Sequence, residues 1–140
     1  MKTLATLVII LGLVGCGGTP TANTPGPPNS AQTQAHNVNK TLADSINTVV
    51  KTSIAMRDQG KLTPATAKQI EDWAVSASLV SDKVEMEIAS GDSWAVAKPK
   101  ILALLLTIQI PNPGPVESTV QIALTAVATV LNQLKAQVQP

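Results

Sequence analysis

Four acidic side chains near the middle of the sequence are the residues whose types and spacing could do chemistry. Asp82, Glu85 and Glu87 follow one another closely, and Asp92 comes shortly after them. On a helix Asp82 and Glu85 would share a face, and two neighbouring carboxyl groups can act as general acid and base, as in glycoside hydrolysis. The same pattern is typical of a solvated face with Lys83 and Glu87 as an ion pair four residues apart. We expect this second arrangement and assign no catalytic residue.

Other catalytic and metal-binding chemistry has few candidate residues. His36 is the only histidine and Cys16 the only cysteine. A zinc site would therefore depend on carboxylates alone, and a serine nucleophile would have no base except His36, which we expect outside the domain core. The sequence has no glycine-rich phosphate-binding loop. We expect no metal, no cofactor and no enzymatic activity.

The single cysteine ends a stretch that is organised like an export signal. Lys2 is followed by an apolar run over residues 4–14. This run is too short for a spanning helix, which needs roughly 17–25 residues to cross a bilayer. A basic start, a short apolar run and small residues before a cut site are typical of a secretory signal peptide. An unpaired thiol in an exported protein needs its own explanation, since disulfide pairing within the chain is impossible.

The four residues that end this stretch resemble the lipobox of bacterial lipoproteins at every position: Leu13, Val14, Gly15 and Cys16. The resemblance covers residues 1–16 alone. It implies cleavage before Cys16, a diacylglycerol thioether on its sulfur, an acyl chain such as palmitate on the new amino group, and a membrane partner. Gly17 stands where an aspartate commonly marks inner-membrane retention, which implies the outer membrane, facing the periplasm, in a Gram-negative host. In a Gram-positive host the anchor would lie on the outer face of the plasma membrane. The alternative is a secreted protein with a stray cysteine.

The segment after the cysteine has the composition of a spacer. Residues 17–30 contain four prolines, three glycines and no charged residue. Such a segment has too little apolar surface to offset the entropy lost on ordering it. We therefore expect a flexible tether over 16–36. A proline-rich recognition motif at 25–28, where the sequence is Pro-Gly-Pro-Pro, is the alternative.

The remaining residues, 37–140, suffice for one small domain. Their apolar side chains recur at spacings of three and four, which predicts helices throughout. Four helices are expected, at about 38–59, 64–90, 93–110 and 116–138. Short breaks between amphipathic helices favour up-down-up-down packing. The expected fold class is therefore all-α, a small antiparallel four-helix bundle that follows the signal peptide and the tether.

Several residues predict where these helices begin and bend. Asn37 or Asn39 can cap the first helix, and Thr63, followed by proline, is a strong start signal for the second. Ser93 can cap the third. Pro99 falls inside that helix, where it removes a backbone donor and crowds the preceding turn. We expect one kinked helix rather than two separate pieces.

The apolar run at 101–110 and the two tryptophans bear on the core and on ligand binding. The run is apolar nearly all round, which predicts the central core helix; alternatively Leu102 and Leu106 form an outward docking or lipid-contacting surface. Trp73 and Trp94 lie on apolar stripes, so core packing is expected. The alternative is that they line a small apolar pocket between helices.

The function predicted from these features follows mainly from the anchor. The net charge of +1 and the lack of a basic stripe argue against a nucleic-acid partner. We expect a lipid-anchored, non-enzymatic helical module of the bacterial envelope that acts through contacts with an envelope protein. A carrier or sensor of a small apolar ligand held between the helices is the alternative. The anchor and tether also loosely resemble short, proline-containing phage lysis and exclusion lipoproteins, which makes a prophage-encoded envelope lipoprotein a third hypothesis.

Overall fold

The computed structural model describes residues 30–114 and 116–139, and the predicted all-α class is confirmed. Four helices make up most of this part of the chain: α1 Ser30–Asp58, α2 Pro64–Ala89, α3 Trp94–Leu105 and α4 Ser118–Val138. The predicted signal peptide, the lipobox and the tether as far as residue 29 lie outside the described residues. None of the four described helices is both long and apolar enough to cross a membrane.

The helices form an antiparallel bundle in which each packs mainly against two neighbours. α1 packs against α2 and α4, and α3 packs against the same two helices. The opposite direction of α1 and α2 is visible in their hydrogen bonds. Gln32, near the start of α1, bonds to Ile88, whereas Asn39, further along α1, bonds to Ser81. The predicted up-down four-helix bundle is therefore confirmed.

The core consists of one buried row from each helix. The row predicted for α4 is buried along its whole length: Val120, Leu124, Val127, Leu131, Leu134 and Val138. α1 also buries the middle of its predicted row: Leu42, Ile46, Val49 and Ser53. α3 adds Ala97, Ile101 and Leu105 to the same cluster. Because each buried aliphatic side chain stabilises the fold by roughly 1.5–3 kcal/mol, this cluster is the main source of stability.

The buried row of α2 is built largely from small residues: Ala67, Ile70, Ala74, Ala77, Ser81, Val84 and Ile88. Trp73, for which we expected core packing, is only partly buried, as is Val80, and both pack against the core from its edge. Small side chains at the centre allow α1 to approach α2 closely, since interaxial distance depends on the side chains at the contact.

α1 begins at Ser30, and the predicted start near residue 38 is wrong. Residues 30–36, which we expected in the tether, are helical because they have contacts with the bundle. Ala35 is fully buried, and Gln32 Nε2 donates a hydrogen bond of 2.6 Å to the carbonyl oxygen of Ile88. Asn39 therefore lies inside the helix, where it is buried, instead of capping its start.

The predicted start of α2 is confirmed. Thr63 occupies the N-cap position, and its hydroxyl accepts a hydrogen bond of 3.2 Å from the backbone N–H of Thr66. Pro64 takes the first helical position, where its missing N–H costs nothing. Gly60 follows α1 with a φ of 70°, and Gly91 follows α2 with a φ of 80°. A positive φ just after a helix favours glycine, which has no Cβ to clash.

α3 is shorter than predicted and takes a place in the ring of helices, not at its centre. It continues through Pro99 without a break, so it is one helix, but it ends at Leu105 and not near residue 110. Thr107 ends it with a tighter turn, since its hydroxyl and its N–H both donate to the carbonyl oxygen of Leu104. The connection to α4 therefore spans 106–117 and exceeds the predicted break at 111–115.

The apolar run in and after α3 contributes to the core on one side only. Ile101, Leu105 and Ile108 are buried, and Leu102 is partly buried against the core. Leu106 is exposed. Ser93 occupies the N-cap position of α3, although its side chain makes no capping hydrogen bond.

Candidate functional site

Three of the four acidic residues named above have no role in a paired-carboxylate site. Glu87 Oε2 and Asp92 Oδ2 lie 3.5 Å and 2.7 Å from Nζ of Lys100 on α3. The hydrogen bond to Asp92 and its charge, with a smaller contribution from Glu87, raise the pKa of the Lys100 ammonium above its usual range. Asp82 is exposed. The predicted ion pair of Lys83 with Glu87 is wrong, because Glu87 turns toward α3.

The fourth acidic residue belongs to a hydrogen-bonded group between α1 and α2. This polar network consists of His36, Asn39, Ser81 and Glu85. Asn39 Nδ2 donates to the carbonyl oxygen of Ser81 at 3.1 Å and to Glu85 Oε2 at 3.2 Å. Ser81 Oγ donates to Asn39 Oδ1 at 3.0 Å. His36 Nδ1 lies 2.6 Å from Glu85 Oε1, so all four side chains are joined in one chain of contacts.

The geometry of the polar network is that of a structural connection. An imidazole beside a carboxylate is the pair that orients a base in hydrolases. Within the network, however, the hydroxyl of Ser81 is buried and donates to Asn39, away from the imidazole of His36. Asn39 is 3% exposed, so its three hydrogen bonds satisfy a buried amide that links two helices. The described residues contain no group of three potential metal ligands.

A cavity of about 300 Å³ lies between α2 and the residues that follow α3. Its lining is Trp73, Ser76, Ala77, Val80, Thr107, Ile108 and Gln109. Nε1 of Trp73 is buried and donates to no described residue. A buried donor without a partner is costly, roughly 1–3 kcal/mol, and is uncommon in folded proteins. The volume is at the lower end of the range for ligand pockets, about 300–1,000 Å³.

The two tryptophans do not share a pocket. Trp94 begins α3, whereas the cavity beside Trp73 is closed by Thr107 and Ile108, which come after that helix. α3 has 12 residues and is therefore about 18 Å long. Trp94 packs, partly buried, against the core near the opposite end of α3. Of the two tryptophans, Trp73 lines this cavity and Trp94 does not.

The outer side of α2 carries a second apolar row, which we call the outer stripe. It consists of Val75, Leu79 and Met86, which are 63%, 57% and 64% exposed. Spacings of four and seven residues put these side chains on one side of the helix. The sequence contains this signal, but periodicity alone does not say which of two neighbouring rows faces the core. For that reason our sequence analysis missed it.

Comparison with known proteins assigns no function to this chain, so the functional proposal rests on the surfaces and cavities described above. The sequence matches no family model, and no curated protein and no solved structure matches it.

Proposed function

We propose that this protein is a lipid-anchored, non-enzymatic module of the bacterial envelope that binds a partner protein through the outer stripe. The observation that carries the proposal is the outer stripe itself, three large apolar side chains on one side of α2, each more than half exposed. Exposed large apolar side chains on one side of a helix are typical of interaction sites in soluble proteins. A helix with an exposed apolar row fits a groove on a partner, in the manner of other helix-in-groove complexes.

Charged residues border the outer stripe, as expected at the rim of an interface. Lys68 and Asp72 precede the stripe on the same helix and form an exposed ion pair of 2.9 Å. Asp82 and Lys83 follow Leu79 and are exposed. An apolar centre with a polar rim is the usual composition of a protein–protein interface. The rim would therefore set the orientation of the partner while the stripe supplies the buried area.

The anchor in this proposal is the lipid on Cys16. At most about 3.6 Å per residue, the residues from Cys16 to Ser30 reach roughly 50 Å, which holds the bundle near the membrane surface. The outer membrane, facing the periplasm, is the proposed location in a Gram-negative host because Gly17 follows the cysteine. Confinement to a surface raises the effective concentration of the bundle for a partner in the same membrane.

Replacing Leu79 with glutamate is expected to abolish partner binding. A carboxylate at this position would lose its hydration when an apolar partner surface covers it, so we expect at least a tenfold loss of crosslinked partner. The measurement is crosslinking in cells, followed by mass spectrometry of the proteins captured with the tagged chain. Because Leu79 is exposed, stability should change by no more than about 0.5 kcal/mol.

The matched control for this variant is Ile122→Glu. Ile122 is 70% exposed on α4, away from the outer stripe, so the same introduced charge should leave the partner bound. An equal loss in both variants, or no loss in either, would contradict the assignment of the outer stripe as the binding surface. Circular dichroism of both variants checks that the helices are intact.

A second candidate function is the binding of a small apolar ligand in the cavity beside Trp73. The lining of the cavity favours it, because Trp73, Val80 and Ile108 offer apolar surface while Ser76, Thr107 and Gln109 supply polar groups. Such a ligand would make the protein a carrier or sensor held near the membrane.

Titration of a Trp94→Phe variant, which keeps Trp73 as its single tryptophan, tests this candidate. Saturable shifts in its emission with monoolein or oleate are expected, because ligand in the cavity changes the surroundings of the indole. A Trp73→Phe variant, tested with the uncharged monoolein, is the control and should not respond. An unresponsive Trp73 over the whole titration would rule out this second function for these ligands.

A further inference from the structure

An apolar groove of about 360 Å³ lies between α3 and the end of α4. Its lining is Ala95, Lys98, Pro99, Leu102 and Val138. Four of these five side chains are apolar, and Lys98 supplies the one charge. The volume falls in the range of ligand pockets, about 300–1,000 Å³, and the groove is separate from the cavity beside Trp73.

The groove lies at the end of the bundle from which the chain leads back to Cys16. α1 begins there, since Gln32 in its first turns donates to Ile88 in the last turn of α2. Lys100, one turn from the groove on α3, contacts Glu87 in that same last turn of α2. If Cys16 carries lipid, this is the end of the bundle at which the chain from the anchor joins it.

At this end of the bundle Lys98, at the wall of the groove, and Lys135, in the last turn of α4, make no ion pair with any described residue. Three acidic side chains already have basic partners within 4.0 Å: Glu85, Glu87 and Asp92. Their partners are His36 and Lys100. An apolar groove with an unpaired ammonium group at its wall is complementary to an acyl chain that carries an anionic head.

We propose that this groove binds one acyl chain of an anionic phospholipid, drawn from the membrane that holds the anchor, with Lys98 beside the headgroup. This inference rests on the proposed lipid anchor, which keeps the groove within reach of that membrane. Binding would dock the anchored end of the bundle on the bilayer. The outer stripe on α2 would then face sideways and remain accessible to a partner.

Quenching of tryptophan fluorescence by brominated lipid tests this proposal on the full processed chain. Trp94 is adjacent to Ala95 of the groove, whereas Trp73 lies beyond the other end of α3. A Trp73→Phe variant therefore reports on the groove, and a Trp94→Phe variant reports on the far end. In vesicles of phosphatidylcholine and chain-brominated phosphatidylglycerol, we expect at least twofold quenching of Trp94 and no quenching of Trp73.

Substitutions in the Trp73→Phe background separate groove binding from mere closeness to the bilayer. Leu102→Glu places a carboxylate inside the groove and should abolish the quenching. Leu106→Glu makes the same change at the exposed residue that follows α3, outside the groove, and should preserve it. Lys98→Glu, which reverses the charge at the wall of the groove, should weaken quenching without disturbing the helices. Quenching that survives both Leu102→Glu and Lys98→Glu would overturn the proposal.

A second experiment distinguishes a groove that does not bind lipid from an anchor that is absent. Dispersed short-chain brominated phosphatidylglycerol can reach the groove without any membrane attachment. Quenching of Trp94 by this lipid in a protein that does not stay on vesicles would support the groove and reject the anchor. Vesicle-bound protein without quenching would reject the groove and keep the anchor. Quenching by brominated fatty acid alone would overturn the assignment to phospholipid.

Discussion

Replacing Cys16 with alanine is expected to remove the lipid from the protein and with it the stable attachment to the membrane. Cys16 is the only thiol in the chain, so no other side chain can take the diacylglycerol. Each buried methylene contributes about 0.8 kcal/mol, so two or three chains make release very slow, whereas an unlipidated chain has no comparable anchor. Partition between aqueous and detergent phases, together with the intact mass of the protein, measures the loss.

Gly17→Ala is the matched control for the anchor. It changes the residue next to Cys16, outside the four positions that resemble the lipobox, and should leave both cleavage and the lipid mass unchanged. The Cys16→Ala chain is expected to keep its uncleaved N-terminus, because the resemblance implies cleavage only at a lipidated cysteine. Normal cleavage of this variant, with detergent-dependent membrane association, would contradict the anchor and leave a secreted protein with a stray cysteine.

The parts of the fold that could be predicted are those that local sequence controls. α4 has a heptad-like apolar row that is buried over its whole length, and the heptad spacing leaves Ile122 outside it and exposed. α2 has a capping threonine followed by Pro64 and ends before Gly91, so its limits were predicted within a residue. These signals act within a turn of the helix end and do not depend on the rest of the bundle.

The errors arose where contacts distant in sequence decided the outcome. The first turns of α1 have a polar composition, and only the burial of Ala35 and the bond of Gln32 to Ile88 show why they are helical. Trp73 and Val80 are as apolar as any core residue, yet the smaller side chains of α2 occupy the centre of its buried face. Periodicity gives the side of a helix to within a few tens of degrees, which does not separate centre from edge.

The candidate sites were the least predictable features, because they too depend on contacts between residues that are distant in sequence. Asn39 and Ser81 are 42 positions apart, and nothing near either residue marks it as a member of a network. The groove between α3 and α4 forms because the fold brings Val138, at the end of α4, to the same site as Leu102 of α3. A lysine that lacks a partner is likewise recognisable only after every nearby carboxylate has been placed.

Asn39→Ala is expected to lower the free energy of unfolding by about 2–3 kcal/mol. The substitution removes three hydrogen bonds at a position that is 3% exposed. It leaves the hydroxyl of Ser81 without its acceptor and removes one donor to Glu85, and an unsatisfied buried group costs roughly 1–3 kcal/mol. Urea unfolding followed by helical circular dichroism measures the change, with the slope of the transition as a check on two-state behaviour.

Two serine-to-alanine variants distinguish the network from burial alone. Ser81→Ala should cost about 1–2 kcal/mol, because it leaves Asn39 Oδ1 without a donor. Ser53→Ala is the matched control, since Ser53 is fully buried on α1 but its hydroxyl has no partner. Removal of that hydroxyl, in favour of a better helix former, should leave the protein equally stable or more stable. Equal losses in the two variants would contradict a stabilising network.

The double variant Asn39→Ala/Ser81→Ala shows whether the two residues act as a pair. Because they share hydrogen bonds, its destabilisation should fall short of the sum of the single losses by roughly 0.5–3 kcal/mol. Such coupling would also explain why Asn39 and Ser81, two polar residues, occupy buried positions between α1 and α2. The buried residues that precede Ser81 are Ala74 and Ala77, so apolar packing on that side distinguishes poorly between neighbouring registers. The amide of Asn39, in contrast, meets its partners in one register only. Strictly additive losses would show that the two residues stabilise the bundle independently, and would remove this account of how α1 and α2 are aligned.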